Sequence, residues 1–437
     1  VSDRGCDDVM EPFIPVIILF VLFFLNIPIA FALIGASLYY FIFQNSIMSV
    51  NMVIQQFVTS VESFPYLAVP FFIMVGSVMN FSGISSSLMK MAEVLTGHMI
   101  GGLAQVNVIL SAMMGGISGS ANADAAMQSK ILVPEMVKRN FSKPFSAAVT
   151  AASSSISPVI PPGTNLIIYS LIANVSVAKM FLAGYTPGIM MTIALMFVVN
   201  IISKKRGYAS TRDKRATIKE ILFQVKDSIW ALLIPFGIIL GMRMGLFTPT
   251  EAGGVAVLFC FVVGVFVYKK LKWEHVPIIL KDTVYGTGSV MLLIIGAKVF
   301  GYYLTLERIP QMITNLLVGF TDNRYMLLFI VNLLLLFVGM FLEGGAALVI
   351  LAPLLVPAAL KVGIDPIQFG VILIVNIMIG GITPPFGSMM FTTCTIVGVK
   401  LDEFIKEIMP FILALLVVLA ILTYSETIAL YIPNLLM

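Results

Sequence analysis

Apolar stretches of roughly 20 residues, the length of a bilayer crossing, recur along this chain with no regular alternation of polar positions. Inside hydrocarbon no water is available to backbone N–H and C=O groups, so a spanning segment must be a helix or part of a closed barrel. Barrel strands alternate lipid-facing and lumen-facing residues; these runs do not, which leaves helices. Only 11% of residues are charged, against about 25% in a soluble domain, and the mean hydropathy of +1.03 excludes a soluble fold with an anchor. A chain of 437 residues holds about 10–12 helices of that length plus loops. The fold class expected is therefore an all-α polytopic membrane protein.

The net charge is only +4, but the bases are clustered: Lys204, Lys205, Arg206, Arg212, Lys214, Arg215 and Lys219 share one loop. That loop is expected on the cytoplasmic side, and the cluster is better read this way than as a nucleic-acid surface. Cys6, Cys260 and Cys394 show neither pairing nor metal spacing. The first eleven residues are polar and acidic, unlike the basic start of a signal peptide.

The chain also repeats itself. Pro134, Pro161 and Pro187 recur as Pro357, Pro384 and Pro410, each pair 223 apart (357−134, 384−161, 410−187), and Gly116 and Gly339 keep that offset. A fixed offset over this distance marks one doubling of a large unit. In a membrane protein such a doubling predicts two pseudo-symmetric halves, with a site between them at Gly/Pro-interrupted helices. The expected layout is scaffold helices over 1–64 and a first repeat over 65–205, holding a re-entrant hairpin (115–134) and a broken helix (144–175). A basic cytoplasmic loop with further scaffold helices follows over 206–287. The second repeat, 288–437, has its hairpin at 339–357 and its broken helix at 366–399. Lys138, Arg139 and Lys143 follow the first hairpin, whereas Lys361 and Asp365 follow the second, which suggests inversion. The run 12–43, interrupted at Asn26 and Pro28, could be one long helix or two short ones, so crossing parity stays open.

Polar residues within these runs are candidates for chemistry. The first hairpin passage, GGISGSANADAA over 115–126, offers Ser118, Ser120, Asn122 and Asp124 between two half-helices of about ten residues each, half a crossing. Its turn would expose carbonyls for a cation and N–H groups for an anion. The second passage, GMFLEGGAA, turns at Glu343, Gly344 and Gly345, with Glu343 at the position matching Ser120. Each broken helix holds prolines that remove a donor and clash one turn back: Ser157-Pro158 to Pro161-Pro162-Gly163-Thr164-Asn165, and Gly380-Gly381-Ile382-Thr383-Pro384-Pro385-Phe386-Gly387-Ser388. Lys298 lies in an apolar run and could snorkel or pair. Arg243 and Glu251 read as marking a helix end, and His98 and His275 do not suggest a proton relay. No phosphate loop, HExxH or Cys/His cluster is present in the sequence, so an enzyme is not expected. A channel would need filter-like rings. With no nucleotide motif and few titratable groups at depth, sodium is the expected coupling ion.

The segments GGLAQVNVILSAMMGGISGSANADAA (101–126), ISPVIPPGTN (156–165), FTPTEAGGVAV (247–257) and GGITPPFGSMMF (380–391) closely resemble the large membrane subunit of tripartite ATP-independent periplasmic (TRAP) transporters, and the resemblance spans almost the whole chain. It implies an elevator-type carrier in the bacterial inner membrane. It also implies Na⁺ coupling through two or more sites and carboxylate substrates: C4-dicarboxylates, keto acids or sugar acids such as sialic acid. Two partners are implied, a small four-helix membrane subunit, expected as a separate chain, and a periplasmic substrate-binding protein. Carried over by motif, one sodium site falls at Ser118, Gly119 and Asn122 with Ser157, Pro161 and Gly163. The other falls at Gly339 and Gly344 with Thr383, Pro385 and Gly387. Substrate contacts fall at Ser120, Asn122, Asp124, Thr164, Asn165, Gly345, Thr383 and Ser388. No arginine sits in these motifs, so hydroxyls, amides, backbone N–H groups and bound Na⁺ would hold the anion. A binding-protein-independent Na⁺/dicarboxylate symporter and a non-transporting subunit of a larger complex are the competing readings.

Overall fold

The computed structural model describes residues 11–25, 27–44, 50–62, 64–321 and 323–436; the acidic N-terminal stretch, Cys6 and Asn26 lie outside them. Every regular element among the described residues is a helix. Seven are long and apolar enough to cross a bilayer alone. The pair Ala68–Ser82 and Ile84–Thr96, bent by 73°, makes an eighth; the bend sits at Gly83, whose φ of +87° suits a residue without Cβ. The remaining apolar stretches are divided at Gly and Pro. The run 12–43 is two short helices, Ile14–Phe24 and Ile29–Tyr39, with Pro28 standing just before the second. They pack on each other, and the second packs along Val276–Leu306.

The doubling is visible element by element. Ala121–Lys138 and Gly344–Lys361 are 18 residues each, and both boundaries differ by 223 (344−121, 361−138). Each follows a helix with which it forms a hairpin, Gly102–Ser118 in the first repeat and Arg324–Phe341 in the second. The arms are 17 and 18 residues in the first hairpin rather than the roughly ten expected for half a crossing. Broken helices come next: Lys143–Ser154 with Thr164–Ile172, and Pro366–Gly380 with Ser388–Val397. Each break contains one cis peptide, Pro161–Pro162 and Pro384–Pro385. A long helix closes each repeat, Val177–Arg206 and Leu401–Tyr424.

Polar contacts fix which ends share a face. The basic loop lies against the open end of the first hairpin: Gly97 O accepts from the Thr211 and Arg212 amides, and Tyr208 Oη accepts from Ser142 N at 3.2 Å. Arg206 pairs with Glu407 at 2.9 Å, near the start of Leu401–Tyr424. That helix is 24 residues long, about 36 Å at 1.5 Å per residue, enough to cross. Beyond its far end Glu426 pairs with Arg324 at 3.1 Å, at the open end of the second hairpin, where Lys361 also donates to Asn315. The two hairpins therefore enter from opposite faces, and the repeats are inverted. The broken helices run antiparallel through the centre: Tyr169, near the end of the first, donates to the Pro366 carbonyl at the start of the second.

Buried polar pairs tie each hairpin to its broken helix. Asn107 donates to Thr150 Oγ1 and accepts from Ser153 Oγ, both at 2.8 Å. In the second repeat Asn376 donates to Asn332 Oδ1 at 2.7 Å, and Asn332 donates to Thr423. Asn376 matches Ser153 at the same offset (376−153 = 223). Such bonds fix register between helices that dispersion alone would let slide. Outside the repeats, Thr217 with Glu220 and Thr248 with Glu251 form capping boxes at the starts of Ile218–Arg243 and Pro249–Val262; Glu251 begins a helix, a structural role as expected from TPTEA.

Candidate functional site

Two hairpin tips and two helix breaks meet at one small cavity of about 40 Å³, formed by Gly119, Ser120 and Asn122 from the first tip and by Glu343 and Gly344 from the second. Pro158, Thr164 and Asn165 come from the first break, and Gly381, Ser388 and Met389 from the second. The backbone explains the convergence. At the first tip Gly119 takes φ +55°, and Ser120 then caps Ala121–Lys138, its Oγ accepting from Ala123 N at 3.4 Å. At the second tip Glu343 occupies the matching N-cap position with extended φ and ψ. Its carboxylate lies over the first-turn amides of Gly345 and Ala346 without closing a cap hydrogen bond.

Four helix N-termini point at this spot, those of Ala121–Lys138, Thr164–Ile172, Gly344–Lys361 and Ser388–Val397. Their free N–H groups favour an anion. The preceding helices end at Ser118, Ser154, Phe341 and Gly380, where last-turn carbonyls lose their intrahelical partners; turn amides take up several of them, including those of Ser153, Ile377 and Gly380. The Asn122 amide oxygen is buried and has no hydrogen-bond partner among the described residues. The Gly119 carbonyl is held by Thr164 Oγ1 at 2.9 Å. Hard cations take oxygen ligands of this kind. The volume holds a water or a bare ion; an organic acid does not fit in it as it stands.

The site joins the repeats as well as lying between them. Asn165, 6% exposed, belongs to the first break, yet its Nδ2 lies 2.9 Å from where a Cβ on Gly344 would sit; Met378 Cε lies 2.5 Å from that point. Gly344 is therefore a glycine because the backbone of one repeat is touched by side chains from both.

Of the residues singled out from sequence, Gly119, Ser120, Asn122, Pro158, Thr164, Asn165, Glu343, Gly344, Gly381 and Ser388 stand at the cavity. The Ser118 side chain lies outside the described residues. Asp124 stands elsewhere: it is fully buried, accepts from Ser111 at 2.9 Å and Gln128 at 2.8 Å, and borders a different cavity against Ile84–Thr96. One turn of helix carries it past the tip. Ser157 and Gly163 are buried within the break, and Pro161 packs against Gly184. Gly339 packs backbone to backbone on Ile377 and Gly380. Gly345 faces Ile168 and Leu293, away from the cavity. Thr383 turns its hydroxyl onto the Ile379 carbonyl at 2.7 Å, and the Gly387 amide donates to the Thr383 carbonyl. Pro385 is exposed. Met378 and Met389 were not singled out in advance; an apolar side chain in an apolar run carries no mark. Asn107, Ser111, Gln128, Asn332 and Asn376 were marked only by being polar inside such runs.

Comparison with known proteins matches residues 16–428 to the family model described as "Tripartite ATP-independent periplasmic transporter, DctM component". The chain is 38% identical to the sialic acid TRAP transporter large permease protein SiaM of Vibrio cholerae, covering 95% of this chain and 96% of that one. It is 34% identical to the C4-dicarboxylate TRAP transporter large permease protein DctM of Pseudomonas aeruginosa, over 88% and 89%. It is 35% identical to the isethionate TRAP transporter permease protein DctMQ of Oleidesulfovibrio alaskensis, over 97% of this chain and 67% of that longer one. Among solved structures, the Alcanivorax borkumensis YdaH transporter shares the fold at a TM-score of 0.64 and 15% identity, covering 94% and 97% of the two chains.

Proposed function

Since the chain belongs to the DctM-component family of tripartite ATP-independent periplasmic transporters, whose members are import permeases of the bacterial inner membrane and not enzymes, we propose that it imports a small organic acid on an inward sodium gradient. The observation that carries the sodium reading is the tip cavity: about 40 Å³, walled by carbonyl, hydroxyl and amide oxygens from both repeats, with the Asn122 oxygen unpartnered. A bound cation there would draw tips and breaks together and place positive charge beside four helix N-termini. An anion could then sit against that charge without an arginine. Of the sodium ligands expected from the motifs, Gly119, Asn122 and Gly344 stand at this cavity and are the proposed ligands there; Ser118, Ser157, Pro161 and Gly163, and Gly339, Thr383, Pro385 and Gly387, are proposed as the surrounding shell of the two breaks. Ser120, Asn122, Thr164, Asn165 and Ser388 are the proposed substrate contacts nearest the cavity.

The substrate class proposed is a carboxylate or similar small anion, on the strength of relatives named for sialic acid and C4-dicarboxylate. The partners proposed are a periplasmic substrate-binding protein and a small membrane subunit carried as a separate chain. Movement is proposed as an elevator, the hairpins and broken helices sliding as one body along Val276–Leu306 and the other scaffold helices.

The test is uptake into proteoliposomes holding this chain and its small subunit. Labelled sialic acid, a C4-dicarboxylate and isethionate are offered with the binding protein, under sodium or potassium gradients. Uptake requiring both sodium and the binding protein supports the reading. Uptake without the binding protein favours a simple symporter, and uptake equal in potassium removes sodium coupling.

A further inference from the structure

A second, larger cavity of about 330 Å³ lies between the scaffold and the central elements, and it contains a cation the tip cavity lacks. On Val276–Leu306 the residues Ile294, Lys298, Tyr302 and Thr305 fall on one helical face and line it. Gln56 and Tyr66 supply further polar atoms. Lys298 makes no ion pair among the described residues. The opposite wall includes Ile168 from the first broken helix and Val349 from the second hairpin.

Ile168 lines this chamber and also approaches the second hairpin tip. Its Cδ1 stands 3.7 Å from where a Cβ on Gly345 would be, and Leu293 Cδ2 stands 3.8 Å from the same point. Gly344, the next residue, already borders the tip cavity.

The position along the membrane is fixed by the helix. Val276–Leu306 begins at the basic-loop face, where His275 stacks on Phe81 at 4.9 Å and Lys270 packs on Gly83. Its other end is therefore at the opposite face. Lys298 lies eight residues before Leu306 (306−298), about 12 Å by helical rise. By the positive-inside rule that is the extracytoplasmic half, where a binding protein would deliver its cargo.

We propose that the Lys298 chamber is a second anion-binding site, an entry station that holds a small carboxylate or sulfonate before it reaches the hairpin tips. Lys298, exposed and with no ion pair among the described residues, lines a roomy, partly polar cavity, and such an ammonium favours an anion. The chamber has the volume for a small organic acid that the tip cavity lacks. The proposal rests on the organic-acid import reading above.

Two measurements test it, one of which needs no transport. With native cysteines replaced, Thr305→Cys is labelled by an anionic, sulfonate-bearing thiol reagent and by a cationic, trimethylammonium-bearing one. The anion-to-cation rate ratio is compared with Lys298 intact and in Lys298→Gln. The ratio is expected to fall about ten-fold, as loss of one nearby charge at 1.4 kcal/mol per decade would give. A ratio unchanged within two-fold, or no labelling by either reagent, overturns the chamber. In the uptake assay Lys298→Gln is expected to raise the KM for the transported acid about ten-fold, with Lys298→Arg restoring most of it. An altered ratio with unaltered uptake overturns the entry role. If the wild-type protein takes up none of the acids with sodium, the import reading fails, and the reagent ratio alone decides whether the chamber selects anions.

Discussion

The first break and the second are built from matching residues but sit in different surroundings. From Ser155 to Gly163 every residue of the first is buried. Thr164 ties it to the first tip, and Val159 and Pro161 press on Gly184 of Val177–Arg206. The second turns at Pro384-Pro385-Phe386, with Pro385 exposed and Phe386 51% exposed. Its backbone packs on the hairpin of its own repeat: a Cβ on Gly380 would fall 2.6 Å from the Gly339 Cα. The matching position in the first repeat (380−223 = 157) is Ser157, which already carries a Cβ. Inverted repeats thus share a path for the chain without sharing its packing. Both breaks need glycines where backbones meet, Gly163 and Gly184 in the first and Gly380 in the second; the first adds a side-chain hydrogen bond from Thr164 to its own hairpin tip.

Breaking the Gly380 contact should have the largest effect. Gly380→Val forces backbone against backbone, and overpacking of this kind costs about 1–3 kcal/mol or more. Its melting temperature in detergent should drop and uptake should fall by more than about ten-fold. Gly115→Ala, whose new Cβ would fall 2.8 Å from the Ile160 Cβ and 3.1 Å from the Ser157 carbonyl, adds a smaller group against looser backbone and should do less; equal losses would refute this ranking. Asn165→Ala removes the amide that reaches from the first break to the second tip. Uptake is expected to fall about ten-fold, equivalent to about 1.4 kcal/mol, with melting little changed.

Thr164→Val keeps the shape and deletes the hydrogen bond to the Gly119 carbonyl. A stability loss of about 1 kcal/mol is expected, recovered by Thr164→Ser, with both read from thermal melts. The smallest effect is assigned to Phe386→Ala. Its half-exposed ring meets only Phe341 among the ring contacts, at 4.9 Å; losing it should cost about 0.5 kcal/mol, and uptake should stay above half. A large loss there would mean that the second turn is as tightly held as the first.

Much of this was legible in the sequence. The prolines at 134, 161 and 187 and their partners gave the doubling, because proline and glycine constrain backbone directly and so keep their spacing. The meeting of Ser120, Asn122, Thr164, Asn165 and Ser388 followed from the same breaks. What could not be read was side-chain direction. Asp124 lies four residues from Ser120 yet points into a different polar cluster, a matter of helical phase beyond the cap. Glu343 takes the Ser120 position but covers its own helix N-terminus. The long hairpin arms were missed because a re-entrant segment and a crossing have the same composition. Met378 and Gly345 acquire their roles from packing partners in the other repeat, more than 150 residues away in sequence (378−165, 345−168).

The most direct test of the central claim, that both repeats build one sodium-binding junction at the tips, is the sodium dependence of uptake by Asn122→Ala in proteoliposomes. The account predicts that half-saturation moves to a sodium concentration about ten-fold higher, equivalent to about 1.4 kcal/mol of lost cation binding, while the protein melts as the wild type does. An unchanged half-saturating concentration in a folded Asn122→Ala protein would contradict it.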